Sequence, residues 1–190
     1  METNDLSSPL AYLGTRRSAR PRDIVAPGPD AAQLDDILRL AARTPDHGAL
    51  VPYRFVVIDD RQALADLFEA AVMAEEPTPE AHKRAKFRDK AHWAPTLVAL
   101  IAAPIEAHKI PVWEQELTVG AVGMNLLHAV HAHGFVGGWI TGAQSYAPAV
   151  VDSFCRGGER IAGFFYIGSP GQSLEERDRP TMDAIVSHWP

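Results

Sequence analysis

After Asp30 the apolar residues Leu34, Ile37, Leu38 and Ala41 recur at helical spacing, and Asp30 with Gln33 has the spacing of a capping box. An amphipathic helix is therefore predicted over 31–43, stopped by Thr44-Pro45. The runs RFVVID at 54–59 and TLVALIA at 96–102 are short, apolar and β-branched, the signature of buried strands. Residues 134–141 and IAGFFYIG at 161–168 predict two more. Between the first two strands lie a predicted helix over about 62–73, a break at EEPTP (75–79), and a basic helical stretch ending near Trp93. The break and the basic helix could form a lid, and HKRAK at 82–86 is read as a solvated helix face in preference to an anion site.

The segment VWEQELTVGAVGMNLLHAVHAH at 112–133 has a different pattern, apolar almost all round. Val119, Ala121, Val122, Met124, Leu126, Leu127, Ala129 and Val130 leave no water-facing stripe, so such a helix must be covered on every side. One chain of 190 residues has little material for that, and Gly120 and Gly123 allow a second helix to approach closely. The pattern predicts a homodimer built on this helix. It argues against a membrane span, because Glu114 and Glu116 at one end, Asn125 inside and three histidines shorten the apolar run.

With neither repeat nor low-complexity tract, the chain is expected to be one domain over 1–190, long enough for a sizeable core. A net charge of -6, from 18 Lys+Arg against 24 Asp+Glu, argues against general binding to nucleic acid or an anionic membrane. The start METNDLSSPL shows no secretory pattern, and a single cysteine, Cys155, fits a reducing compartment; a cytoplasmic protein is expected. His128, His131 and His133 lack the spacing of a metal site, and no metal is expected. Cys155 beside Arg156 has one feature of a low-pKa thiol but no histidine base linked to it. No G-x-S-x-G, P-loop or G-x-G-x-x-G follows a strand.

Five separated stretches carry a family resemblance: RRSARP at 16–21, RTPDHGALVPYRFVVI at 43–58, WEQE at 113–116, GFVGGWITG at 134–142 and GFFYIGSP at 163–170. In this order they resemble the FMN-dependent nitroreductase family, and within it the minimal bacterial branch of NAD(P)H nitroreductases. The resemblance implies an α+β fold with a central, mainly antiparallel sheet flanked by helices. It also implies a long central helix at a homodimer interface, with FMN touched by both chains.

The resemblance implies FMN-phosphate and polar ring-edge contacts for Arg16, Arg17 and Ser18, whose guanidinium forks and hydroxyl suit an anion. Arg43 and His47 match positions that contact the flavin held mainly by the other subunit. Trp139, Ile140 and Thr141 match the segment passing the isoalloxazine ring, with Gly137-Gly138 allowing close backbone approach. Residues Ala129, Val130, His131, Ala132, His133 and Gly134 match a nicotinamide-nucleotide contact. Tyr53 stands where the family usually has tryptophan, and Arg179 resembles a basic position that reaches the phosphate in other branches. The implied activity is hydride transfer from NADH or NADPH, through FMN, to a nitroaromatic, quinone or similar small acceptor, with no catalytic side chain. The alternatives are a flavoenzyme of this fold that dehydrogenates or dehalogenates, and a flavin-storage protein.

Overall fold

Ser8 opens the first helix, α1 (Pro9–Thr15), where its Oγ accepts the Ala11 N–H at 3.1 Å. The computed structural model describes residues 3–76 and 78–189, so Pro77 of the predicted break lies outside the described residues. The chain continues through β1 (Ile24–Val25), α2 (Ala31–Ala41), β2 (Tyr53–Val57), α3 (Arg61–Glu75), α4 (Ala81–Asp89), β3 (Thr96–Ala102) and α5 (Val112–Ala132). It ends with β4 (Val136–Ile140), α6 (Pro148–Phe154), β5 (Arg160–Pro170) and the short α7 (Met182–Ile185). The capping box at the start of α2 is present in both directions: Asp30 Oδ1 accepts the Gln33 N–H at 2.8 Å and Gln33 Oε1 accepts the Asp30 N–H at 3.0 Å.

Two compact units divide the chain, Ser18–Gln172 and the remainder, which joins the residues up to Arg17 with those from Ser173. The larger unit holds the five-stranded sheet, order β1-β5-β3-β2, with β4 also paired to β5 and every pairing antiparallel. The antiparallel sheet and its helices are the α+β architecture that the resemblance implied.

Strand boundaries differ from the predicted ones for local reasons. β5 extends to Pro170 because Ser169 and Pro170 pair with Val25 and Ile24, a contact too distant in sequence to leave a local pattern. β4 starts at Val136 because Gly134, at φ 81, closes the preceding helix: its N–H donates to the His131 carbonyl at 2.8 Å, and Phe135 N–H to that of Val130 at 3.1 Å.

Successive residues of β5 face opposite sides of the sheet. Phe165 and Ile167 join Val98, Leu100, Ile37 and the inner residues of α5 in one core. Phe164, on the other side, meets the rings of Phe68 (5.6 Å) and Phe154 (5.7 Å) from α3 and α6. The inner face of α5 is covered by α2 and the sheet, but a stripe on its other face is not: Trp113 is 66% exposed, Leu117 53%, and Gly120 is exposed one turn on. Among the described residues no helix is long and apolar enough to cross a membrane.

Arg54 fastens β2 to the turn before β5. Its Nε donates to Glu159 Oε1 at 2.9 Å, and its Nη2 to Glu159 Oε2 at 2.5 Å and to the Phe154 carbonyl. The Arg54 hydrogen bonds, with a further one from Arg156 N–H, hold the Glu159 carboxyl down at about 2 against an ordinary 4.5. A depressed carboxylate pKa stabilises the fold above the unfolded value, and that stabilisation is lost as pH falls toward the folded value. Unfolding midpoints should therefore drop between about pH 4.5 and 2, and Glu159→Gln should flatten this part of the midpoint-versus-pH curve. Midpoints of both proteins across that range check it; superimposable curves would contradict the assignment.

In the smaller unit, Asn4 brackets Arg17: its Oδ1 accepts the Arg17 N–H at 2.7 Å and its Nδ2 donates to the Arg17 carbonyl at 3.2 Å. Arg17 is buried, and its Nε donates to the Glu175 carbonyl at 2.8 Å.

Candidate functional site

Trp139 of β4 sits between two glycines. A Cβ at Gly123 would lie 2.7 Å from the far edge of its indole, and one at Gly163 would lie 2.1 Å from Nε1. The ring stacks on Phe165 with centroids 5.1 Å apart, and Nε1 donates to the Ala162 carbonyl at 3.0 Å. Leu100 pairs with Gly163 and Ile101 with Ile161, so Ala162 is an extra residue in β5, a bulge opposite β3.

Beside this indole is a cavity of about 470 Å³ between the N-terminal half of α5 and the ends of β4 and β5. Its walls include Trp139, Thr141, Gly120, Tyr146 and the ion pair of Arg160 with Glu116. Thr141 leaves β4 into a tight turn, where its carbonyl accepts the Ser145 hydroxyl at 2.5 Å and Gly142 adopts φ 64. Ile140 is half-buried.

A second cluster gathers where α2 runs into the following loop. His47 Nδ1 and Glu114 Oε2 are 2.6 Å apart, a contact from the turn 47–49 to the first turn of α5. Asn125 Nδ2 donates to the Arg43 carbonyl at 3.0 Å and to Thr44 Oγ1 at 2.8 Å, and Thr118 Oγ1 to the Pro45 carbonyl at 3.2 Å. One helix thus pins the loop carrying Arg43 and His47 while lining the cavity with Glu116 and Gly120. The Arg43 side chain is exposed. Tyr53 packs edge-on against Phe55 and its hydroxyl donates to the Ala42 carbonyl at 3.4 Å.

The RRS segment falls across the division between the two units. Ser18, in the larger, is half-buried, and the next residue binds β4 through Ala19 N–H to the Gly137 carbonyl at 3.0 Å. That packing uses the paired glycines: a Cβ at Gly138 would lie 2.6 Å from the Ala19 carbonyl, and one at Gly137 3.0 Å from Leu127. In the smaller unit Arg16 is half-buried, and Arg17 pairs with Glu176 at 3.3 Å. Burial, and then the nearby Arg179, Arg177 and Arg16, push the Arg17 pKa down while Glu176 pulls it up, which marks a concentration of positive charge. Arg179 pairs with Glu176 at 3.2 Å.

The description "Nitroreductase family" matches residues 13–169. The chain belongs to the nitroreductase family. An Escherichia coli K12 protein provisionally named as the NAD(P)H nitroreductase YdjA is 36% identical over 164 residues, 85% of this chain and 87% of that one. A nitroreductase-like protein from Bacillus cereus has the same fold, with TM-score 0.83 at 20% identity over 96% of both chains. So does a mutant of the FMN and NADPH-dependent nitroreductase NfnB from a Sphigopyxis strain, with TM-score 0.73 at 18% identity over 95% of this chain and 98% of that one.

Within this nitroreductase, residues 129–134 are the C-terminal end of α5 and its cap. Ala129, Val130 and His131 are buried, Ala132 and Gly134 are exposed, and His133 Nε2 lies 2.9 Å from Asp36 Oδ2 on α2. Cys155 is no activated thiol: burial and the nearby Glu159 raise its pKa, outweighing Arg54. Of the cavity residues, Glu116 lies in the WEQE stretch but was given no role there, and Tyr146, Arg160 and Ala162 carried no separate sequence signal, since a bulge and a loop return bring them together. Asn125 was visible only as a polar residue in an apolar helix, and that mismatch is the mark of its hydrogen bonds to the 43–44 loop.

Proposed function

We propose that this nitroreductase is an FMN-dependent NAD(P)H oxidoreductase in which residues 1–190 act as one flavin-binding domain and two copies form the working unit. The observation that carries this reading is the cavity bounded by Trp139 and Thr141, the two ends of the segment expected to pass the flavin ring. An aromatic wall, a glycine-lined approach and a polar mouth suit a planar heterocycle. FMN, when bound, supplies hydride acceptance and donation, so the acceptor is reduced after the nucleotide is oxidised. The chain's own residues orient and hold it. Arg16, Arg17 and Ser18 serve the phosphate and ring edge, Trp139, Ile140 and Thr141 the ring, and Arg43 and His47 the flavin of the partner subunit. Glu114 fixes the imidazole of His47. Residues 129–134 serve as a nicotinamide contact, and the acceptor is a nitroaromatic, a quinone or another small electron-poor molecule.

The purified protein should be yellow, or become so with added FMN, and its visible band should bleach under anaerobic NADH or NADPH. A yellow protein that neither nucleotide bleaches would favour storage or another donor, and a protein that refuses FMN would end the reading. Arg16→Ala should weaken FMN by about 1.5–3 kcal/mol, the worth of one hydrogen bond to a charged group, in an equilibrium titration. An unchanged affinity would contradict the phosphate role of Arg16.

A further inference from the structure

The basic helix expected as a lid is held down at several points. Arg84 and Arg88 of α4 both bind Glu69 of α3, and Lys83 binds Glu76. Just beyond α4, in the turn Lys90–His92, Lys90 is half-buried: its ammonium lies 3.9 Å from the centroid of the Phe87 ring and donates to Gln144 Oε1 at 2.9 Å. Gln144 has no exposed surface, and its Nε2 is buried with no hydrogen-bond partner. Its amide fills the space beside Gly142: a Cβ there would lie 2.7 Å from Oε1 and 3.0 Å from Nε2. Ser145, next in the chain, is buried and ties back to Thr141 through its hydroxyl and to Gly142 through its N–H at 3.1 Å. An amide buried with half its hydrogen-bonding capacity unmet is costly, so the charged bond to Lys90 is what keeps it in place.

We propose that Lys90 and Gln144 form an internal strut that sets the conformation of the 141–145 turn, making them positioning residues for the ring-binding segment. Helix α4 and the turn Lys90–His92 are then a fixed support of the site. The link to FMN rests on the functional reading above, whereas the strut itself does not.

Amide hydrogen exchange of the full-length protein, with and without FMN, tests the two parts separately. Lys90→Met and Gln144→Leu should each speed exchange of the 141–146 amides by about tenfold or more, the scale set by one hydrogen bond to a charged group, and the double variant no further. Exchange in β3 and β5 should stay unchanged, which a general loss of packing would not permit. Gln144→Glu, which keeps an acceptor for Lys90, should restore slow exchange. FMN affinity should fall in parallel in the two single variants and return in Gln144→Glu. Should the variants fail to fold, NMR of the unmutated protein decides: a slowly exchanging Lys90 ammonium supports the strut and a freely exchanging one overturns it. Wild-type exchange at 141–146 in both single variants also overturns it. If the unmutated protein binds no FMN, the functional reading falls while the exchange data still judge the strut.

Discussion

Alanine at position 163 should leave little folded flavoprotein. The added methyl would lie 2.1 Å from Trp139 Nε1 and 2.4 Å from Cδ1, both well inside contact distance, and a tight 3.2 Å from the Ile140 carbonyl. The indole cannot shift toward α5, because its other edge already occupies the space a side chain at Gly123 would take. It can clear position 163 only by giving up its bond to the Ala162 carbonyl and its stack on Phe165, buried in the centre of β5. Overpacking and a lost hydrogen bond together cost about 3 kcal/mol or more, a large share of a domain's stability. Urea unfolding and flavin content per chain measure both consequences. Gly14→Ala is the control: nothing lies within 4 Å of its would-be Cβ, so in α1 it should be neutral or slightly stabilising. A Gly163→Ala protein with wild-type midpoint and flavin content would refute the wedge.

The second large effect is expected at Leu117. Trp113, Leu117 and Gly120 follow one another at helical spacing on the uncovered side of α5, and two large apolar side chains there are more than half exposed. In the proposed dimer a second copy covers this stripe, so Leu117→Glu places an unpaired carboxylate there twice, once from each copy, at a cost of several kcal/mol. Light scattering should show the unmodified protein near twice 20.7 kDa and the variant near 20.7 kDa, with FMN lost alongside. A flavin-loaded monomer of the unmodified protein at low micromolar concentration would remove both the interface and the shared site.

The sequence was most legible where the pattern is local. The Asp30–Gln33 capping box, the strand at 96–102 and the long helix starting at Val112 appear where periodicity placed them. The apolar character of that helix was read as a need for cover on every side, and the structure narrows this to one bare stripe carrying Trp113, Leu117 and Gly120. For the proposed site, RRS, Arg43, His47 and the 139–141 segment were named through the family resemblance, and of these the structure lines the cavity with Trp139 and Thr141. What was hidden needs distant chain to meet: Glu114 at His47, Asn125 at Arg43, and Glu116 with Arg160 at the cavity. The paired glycines 137 and 138 show the same limit. They were read as room for the flavin ring, and no sequence pattern pointed to the close packing of Leu127 and Ala19 against them.

The bulge at Ala162 reaches further than the one hydrogen bond it frees. In a regular strand consecutive side chains point to opposite faces, so a wall built from β5 would offer every second residue. Here Arg160, Ile161 and Ala162, three in a row, all line the same cavity. The hollow is in this sense a matter of counting: β5 spends one residue more than β3 needs, and a bulge of this kind bends its strand. A shortened chain lacking Ala162 would restore even pairing to Ala102 and return alternate residues to opposite faces. Deleting a single alanine, with Trp139 and Thr141 left in place, would thus be expected to reshape the cavity they line.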